Sequence, residues 1–284
     1  MICANFNSAQ ARAGNIALLC GVAFAAMCGA ARAADAADDF FLRGPITSQG
    51  VQWEGFVVGG QLGRTGLNGD FTNSTSQLVA HILRQSTLEN EAQPSAWNVL
   101  STKTATSMSY GAFVGYNWQI DSLILGLDGT YNKVKDLHAS DGPTTLERVV
   151  STSDGTGNDV SITANSSLSM TDYATLRGRA GYAFGQFLPY AFAGGAVGRF
   201  DYSTTAKVKV IQTANGNTST YSPPAESTTK TGQFDPGFVA GLGIDIAILP
   251  NAFLRAEWEY AAFGELKGIR PTVNTARVGL GLRF

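Results

Sequence analysis

From residue 53 onward, the chain alternates apolar or glycine residues with small, polar or charged ones. The segment 238–248 shows this most clearly, with an apolar residue at every even position and Gly241, Gly243 and Asp245 between them. Successive side chains of a β-strand point to opposite faces of its sheet, so a period of two predicts strands. Eight segments share the pattern and are predicted as strands: 53–63, 107–119, 123–132, 173–184, 188–200, 238–248, 253–260 and 275–284.

Charge placement indicates what the two faces of these strands contact. One row of every predicted strand is apolar or glycine; in the fifth strand we assign that row to Tyr190, Phe192, Gly194 and Ala196. An Arg or Lys facing lipid at the bilayer midplane costs about 2 to 4 kcal/mol, whereas a charge inside a barrel can be paired or hydrated. A soluble β-sandwich would instead place polar residues on its outward rows. The charges that fall on the inner row are Asp128, Arg177, Arg179, Asp245, Arg255, Glu257, Glu259 and Arg277.

Short and long connections alternate strictly between the predicted strands. The connections 120–122, 185–187 and 249–251 are short, while 64–106, 133–172, 201–237 and 261–274 are long. Membrane barrels join short periplasmic turns to long extracellular loops. The sequence therefore predicts an all-β fold, a transmembrane antiparallel up-and-down β-barrel of eight strands with long extracellular loops, spanning 51–284.

Aromatic and hydroxyl residues add two further predictions. The expected aromatic girdles, near the strand ends, contain Trp53, Tyr116, Trp118, Trp258 and Tyr260. The loops 133–172 and 201–237 are rich in Ser, Thr, Gly and Asn and poor in apolar residues. We therefore expect both loops to be mobile and solvated.

The first 33 residues have the form of a secretory signal peptide. Arg12 precedes the apolar run 16–31, and Ala31-Arg32-Ala33 places small residues at the two positions read by a signal peptidase. The segment 34–50 is then expected to be periplasmic. All three cysteines lie in the leader, so the mature chain would have no disulfide and no thiolate metal site. Cleavage would remove two of 20 basic residues and leave 22 acidic ones, a net charge of about −4 that predicts no nucleic-acid partner.

Four stretches of the mature chain resemble a known family. They are WEGFVVGG at 53–60, YGAFVGYNWQ at 110–119, LRAEWEY at 254–260 and the terminal RVGLGLRF. Together they are similar to the OmpA-like eight-stranded barrels, in particular the alphaproteobacterial outer-membrane immunogenic or porin-family proteins. The resemblance implies location in the cell outer membrane, contact with its lipid, and recognition of the terminal Phe284 by the barrel assembly machinery.

The predicted inner charges and the first long loop are the two candidate sites. Eight strands enclose an interior that side chains can fill, so the eight charges should meet as an ion-pair network, either as a structural plug or as the gate of a narrow channel. In the first loop, Leu78, Val79, Ile82 and Leu83 recur at helical spacing, and Trp97 lies in a second apolar cluster. Either they pack together over the rim, or they form an exposed apolar patch for a host surface, a phage or haem.

No catalytic or cofactor motif accompanies these features. His81 and His138 lie in predicted outer loops without nucleophile or metal-ligand spacing. We predict a non-enzymatic protein without a cofactor, with a structural and surface-exposed role and weak porin activity at most. The alternatives are an adhesin or ligand receptor acting through the outer loops and, with less support, a lipid-modifying enzyme.

Overall fold

The computed structural model describes residues 51–284. The predicted signal peptide, 1–33, and the predicted periplasmic segment, 34–50, lie outside the described residues. No helix in the described part of the chain is long and apolar enough to cross a membrane.

Nine strands and three short helices make up the described chain. The strands are β1 Gly55–Asp70, β2 Thr102–Ile120, β3 Leu123–Ser151, β4 Gly157–Tyr182, β5 Phe187–Ala214, β6 Asn217–Tyr221, β7 Glu226–Leu249, β8 Ala252–Phe263 and β9 Arg270–Arg283. The helices, all between β1 and β2, are α1 Ser76–Ile82, α2 Thr87–Ala92 and a 3₁₀ turn Pro94–Ala96.

Eight of the strands form a closed antiparallel ring, as predicted. Neighbouring strands follow the order β4, β3, β2, β1, β9, β8, β7, β5, and the ring closes because β4 also pairs with β5. The short β6 pairs only with the outer end of β5. Closure leaves no unpaired strand edge within the ring, which is the condition for a sheet to lie in lipid.

The stagger of the ring sets its width. Following cross-strand partners once round the barrel from Gly55 leads back to β1 at Thr65, ten residues further along. Eight strands with a stagger of this size tilt by roughly 40° and enclose a space that side chains can fill. The interior of this barrel is therefore a packed core.

The outer face of the ring is apolar along the predicted rows. Exposed side chains include Leu62 on β1, Leu127 on β3, Leu242 on β7 and Leu280 on β9. Tyr116, Trp118, Trp258 and Tyr260 also point outward, as expected for residues that meet a bilayer. The prediction for Trp53 was wrong, because this side chain is buried, with the Arg283 guanidinium 5.3 Å from its ring centre.

The second and third long loops, which we predicted to be solvated loops, are paired strands over most of their length. The strands β3, β4, β5 and β7 contain 29, 26, 28 and 24 residues, far more than the roughly 9 to 11 that cross a bilayer. Only 152–156 connects β3 to β4. The strands continue beyond the membrane because these segments alternate as well. Buried apolar residues such as Val160, Ile162 and Val208 lie between exposed or half-buried polar ones. We call the paired parts 137–170 and 202–230 the outer extension.

Bulges link the outer extension to the membrane ring. The β3–β4 register shifts between Lys133 and Leu137, and the β4–β5 register shifts between Met170 and Asp172. An extra residue rotates the strand, so the row that faces outward below the bulge faces inward above it. Leu176 lies on the outer face, whereas Met170 on the same even-numbered row is buried inside.

We expect close contacts at an inner glycine to limit substitution. A methyl group at Gly241 would overlap the Trp258 carbonyl oxygen and the Phe192 ring, whereas a methyl group at Gly195 meets nothing within 4 Å. Gly241→Ala should therefore lower the free energy of unfolding by about 1 to 3 kcal/mol, and Gly195→Ala should leave it nearly unchanged. Urea unfolding of the refolded barrel in lipid vesicles measures both; equal effects would contradict this packing.

Candidate functional site in the barrel interior

The eight predicted inner charges all lie inside the membrane ring. Each is at most 5% exposed. They come from five strands of the ring, so no single segment of sequence contains them. Four are arginines and four are carboxylates: Asp128 on β3, Arg177 and Arg179 on β4, Asp245 on β7, Arg255, Glu257 and Glu259 on β8, and Arg277 on β9.

The Arg177 guanidinium lies at the centre of this group. Its Nε and Nη2 donate to the two oxygens of Asp128 at 2.8 and 2.9 Å. Its Nη1 donates to Glu257 Oε2 at 3.1 Å and to Glu259 Oε2 at 2.9 Å. Paired two-point contacts of this kind are the strongest that an arginine makes with a carboxylate. Arg177 therefore connects three carboxylates from two strands.

The remaining arginines extend the contacts in both directions. Arg277 donates from Nε to Glu257 Oε2 and from Nη2 to Glu259 Oε2, each at 2.7 Å. On the other side, Arg255 holds both oxygens of Asp245 at 2.8 and 2.9 Å and reaches Asp128 Oδ2 at 3.3 Å. The result is one continuous ion-pair network.

Arg179 ends the network towards the short turns. Its Nη1 donates to Asp245 Oδ2 at 3.0 Å, and its Nε donates to the Asn117 side-chain oxygen at 3.0 Å. A buried charge without a partner costs several kcal/mol, so the equal number of positive and negative groups is a condition for folding.

Aromatic rings separate the network from the barrel wall. The guanidinium carbon of Arg177 lies 4.1 Å from the Phe192 ring centre, and that of Arg255 lies 4.1 Å from the Phe113 ring centre. The Tyr190 hydroxyl donates to Glu257 Oε1 at 2.7 Å, and the Tyr173 hydroxyl donates to Glu259 Oε1 at 3.1 Å. These rings fill space, add cation–π attraction and satisfy carboxylate oxygens.

Two of these rings correct the prediction for the fifth strand. Tyr190 and Phe192 are 5% and 4% exposed and face inward, so the lipid-facing row of β5 is the small one with Ala191, Ala193 and Gly195. The even row of β5 stays inside along the whole strand, from Leu188 to Val210. The large aromatic side chains of Tyr190 and Phe192 suggested a lipid-facing row, but they fill the interior instead. Arg199 is exposed on the odd row, at the outer end of the membrane-facing part of β5, so its charge does not mark the inner face.

Above the charged layer and the buried hydroxyl groups of Thr65, Ser109 and Thr275, the interior contains an apolar core. The five residues of the predicted patch, Leu78, Val79, Ile82, Leu83 and Trp97, are each at most 9% exposed. They belong to one apolar core with the inner rows of β4 and β5, and α1 packs against β5 and β7. They therefore do not form an exposed patch, because the long strands provide an inner wall that covers them.

Polar contacts attach the first loop to the extension. His81 Nδ1 lies 2.7 Å from Glu226 Oε1 on β7. At the other end of the loop, Asp141 accepts from the Ser101 backbone N–H at 2.6 Å and from its hydroxyl at 2.9 Å, and Lys103 Nζ lies 3.4 Å away. Burial acts to raise the pKa of Asp141, but these hydrogen bonds and the lysine charge outweigh it and hold the pKa below the ordinary aspartate value.

A family model decides the class of the protein. The model described as "outer membrane protein beta-barrel domain" matches residues 20–284. The chain belongs to this outer-membrane β-barrel family. The eight-stranded ring thus lies in the outer membrane, and its short turns face the periplasm.

Several solved outer-membrane barrels match most of this chain, but at low sequence identity. The N-terminal barrel of Pseudomonas aeruginosa OprF is 13% identical, with a TM-score of 0.36, and the match covers 81% of this chain and 98% of that one. Yersinia pestis Ail is 14% identical, with a TM-score of 0.31 and coverage of 81% and 99%. Neisserial surface protein A is 15% identical, with a TM-score of 0.33 and coverage of 81% and 97%. No curated protein sequence matches the chain. Function must therefore be argued from this family member's own residues.

The terminal Phe284 lies at the seam between β1 and β9, the first and last strands of the barrel. Its N–H donates to the Phe56 carbonyl oxygen at 2.9 Å, and its own carbonyl oxygen accepts from the Phe56 N–H at 3.2 Å. The side chain is 75% exposed on the outer face. Among the described residues, no group of three or more metal-binding side chains occurs.

We expect the loss of one carboxylate from the ion-pair network to lower the free energy of unfolding far more than the loss of one from a surface ion pair. Glu257→Gln leaves Arg177 and Arg277 with an incomplete set of carboxylates in a buried layer, so the free energy of unfolding should fall by about 3 to 5 kcal/mol. The matched control is Glu265→Gln, which removes the same charge from the exposed Arg270 pair at 3.0 Å and should cost under about 1 kcal/mol. Urea titration in vesicles compares the two, and similar losses would argue against a buried network.

The Asp141 contact predicts a local effect of acid on the first loop. Because the folded pKa is depressed, the stabilisation is complete above the ordinary aspartate pKa and is lost as the pH falls through the folded value, below about pH 4. Asp141→Asn should therefore speed backbone hydrogen exchange at Ser101 at neutral pH by roughly tenfold, whereas the exposed Asp159→Asn should not. Mass-spectrometric exchange on peptides covering 72–103 measures this, and unchanged exchange would exclude the contact.

Proposed function

We propose that this protein is a sealed outer-membrane barrel with a structural role, which anchors an extended β-sheet and displays it outside the cell. The observation that carries the proposal is the filled interior. Arg177 is 0% exposed and Arg255 is 2% exposed, and aromatic rings pack against both. A passage for solutes would require these groups to separate.

The layer above the charges supports the same proposal. The apolar core around α1 covers the outer end of the charged layer, with Leu78, Val79 and Ile82 buried against the strands. Water and ions would have to cross an apolar layer and then a fully paired charged one. A narrow gated pore, which the charges alone would allow, needs a coordinated opening of both layers.

The exposed surface of the extension supports a second candidate, recognition of a partner outside the cell. The outer part of β3, residues 137–151, pairs only with β4, and the outer part of β7, residues 226–236, pairs only with β5. Unpaired strand edges can add a strand from another chain. A polar or extended ligand fits this surface better than haem, because the apolar residues of the first loop are buried.

Lipid and the assembly machinery are the partners we propose for the barrel itself. The apolar outer rows fit bilayer lipid, and the exposed Phe284 at the seam fits a terminal signal read during insertion. A catalytic role is not part of the proposal. His81 is engaged by Glu226 and by Arg84 at 2.9 Å, an arrangement that serves to hold α1 in place.

The proposal predicts that the refolded protein does not conduct. In planar bilayers, the wild-type protein should give no discrete openings, because the apolar core and the paired charges fill the interior. The double variant Arg177→Ala/Glu257→Ala removes one charge of each sign and a large volume, and it should give small, discrete openings. Heat-modifiable migration on gels verifies that both are folded.

Regular wild-type openings would overturn the proposal of a sealed barrel. If the double variant does not fold, Phe113→Ala/Phe192→Ala is the alternative, since it removes volume and leaves every charge paired. A wild-type channel that closes when Glu257 is replaced by Gln would favour the gated pore.

A further inference from the structure

The sequence contains two Asn-Gly steps, which lie in opposite structural settings. Asn68-Gly69 lies within β1, which is paired with β2 on one side and with β9 on the other, and Gly69 is buried. Asn215-Gly216 connects β5 to β6, and both residues are exposed. Glycine has no Cβ to shield its backbone nitrogen, so an asparagine that precedes it has an accessible nitrogen next to its side chain.

Asn215 and Gly216 form a tight hairpin turn between the paired ends of β5 and β6. The backbone φ is 50° at Asn215 and 77° at Gly216. Positive φ at both central residues is typical of the type I′ turn that Asn-Gly favours. In residues 51–284 no hydrogen bond holds the Asn215 side chain, whereas the Asn68 side-chain oxygen accepts one from the Thr104 hydroxyl. The amide of Asn215 is therefore free to rotate towards the backbone.

The turn leads into β6, a strand with a single neighbour. All five residues of β6 are exposed, and they pair only with 210–214 of β5. β5 has a second neighbour at the same level, and Gln212 donates from Nε2 to the Asn158 side-chain oxygen on β4 at 3.1 Å. A change in the turn therefore acts on β6 and leaves β5 held by β4.

We propose that Asn215 is a site of spontaneous covalent modification, at which the side-chain amide is lost and the turn is altered. The Gly216 nitrogen attacks Cγ of Asn215, which is favoured because the two groups are already held together in one dipeptide. The new C–N bond closes a cyclic imide, and the side-chain nitrogen leaves as ammonia with the Gly216 proton. Water then breaks one of the two ring C–N bonds. The products are aspartate and a β-linked aspartate, and the balance is one water consumed and one ammonia released.

The fold decides which of the two Asn-Gly steps reacts. Cyclisation turns the glycine nitrogen towards the asparagine side chain and away from its place in the paired backbone. At Asn68 this movement breaks pairing with two neighbouring strands. At Asn215 it disturbs only the open end of an exposed hairpin, where local opening costs little free energy.

The products change both the charge and the length of the turn. Each adds one negative charge at Asn215, where the side chain was neutral. The β-linked product also runs the main chain through the former side chain and lengthens it by one carbon. A two-residue turn must match the twist of its flanking strands, so the longer turn no longer fits the paired ends of β5 and β6. β6 then separates from β5.

The test follows both Asn-Gly steps in one sample. The full barrel is refolded in lipid vesicles, aged at mildly alkaline pH and digested with trypsin, which releases the peptide 210–230 with Asn215 and the peptide 65–84 with Asn68. Mass spectrometry measures the conversion of amide to acid, and fragment ions assign it to a residue and identify the β-linkage. We expect conversion at Asn215 to be roughly tenfold or more faster than at Asn68. In urea, where the fold no longer protects Asn68, the two rates should be similar.

A matched variant tests the consequence for β6. Asn215→Gly has no side-chain amide and retains a two-residue turn with positive φ. After ageing, backbone hydrogen exchange at 217–221 should be several-fold faster in the wild-type protein and unchanged in Asn215→Gly, while exchange at 158–164 on β4 stays constant in both. Equal conversion of Asn68 and Asn215 in the folded barrel would overturn the proposal. Equal acceleration of exchange in the wild type and the variant would also overturn it, and conversion without faster exchange would refute the release of β6.

Discussion

Charge neutrality inside a narrow ring is the constraint on which the rest of the structure depends. A ring of eight strands in lipid must satisfy every backbone group by strand pairing, which fixes a small interior that side chains have to fill. Large polar side chains fill it here, and the four arginines are tolerated because Asp128, Asp245, Glu257 and Glu259 match them. The aromatic wall, with Phe113 and Phe192, depends on this arrangement, since each ring lies against a guanidinium.

The membrane ring was predictable because lipid imposes a strict rule on every second residue. A charge on the lipid face is costly at mid-depth, so the inner positions of Arg177, Glu257 and Asp245 could be read from their rows without knowledge of their partners. The partners themselves could not be predicted, because they depend on the stagger that brings β3, β4, β8 and β9 together. On β5 the rule gave the wrong face, since a row of alanine and glycine meets lipid as readily as an aromatic row does.

The outer extension was missed for a different physical reason. Its segments were judged by composition, and hydroxyl-rich stretches are typical of solvated loops. Alternation was nevertheless present, for example in Val160, Ile162 and Ala164 between Ser161 and Thr163. Thr, Val and Ile are also strand-forming residues. The bulges hide the continuity, because the apolar row of β4 faces lipid at Leu176 and the interior at Met170, and a prediction of one uninterrupted membrane strand has no place for that change.

The partial closure of the outer extension divides the molecule into two levels of stability. Within the ring, every strand has two neighbours, and opening any pair exposes backbone groups to lipid. Above it, the outer parts of β3 and β7 each have a single neighbour and water on the other side, and the core beneath them is completed by a loop with two short helices. Opening of that upper part exposes its hydrogen bonds only to water, so it can occur at a lower free energy than unfolding of the ring. The part of the chain above the ring is thereby free to fluctuate and to change in sequence, while the paired strands of the ring stay closed beneath it.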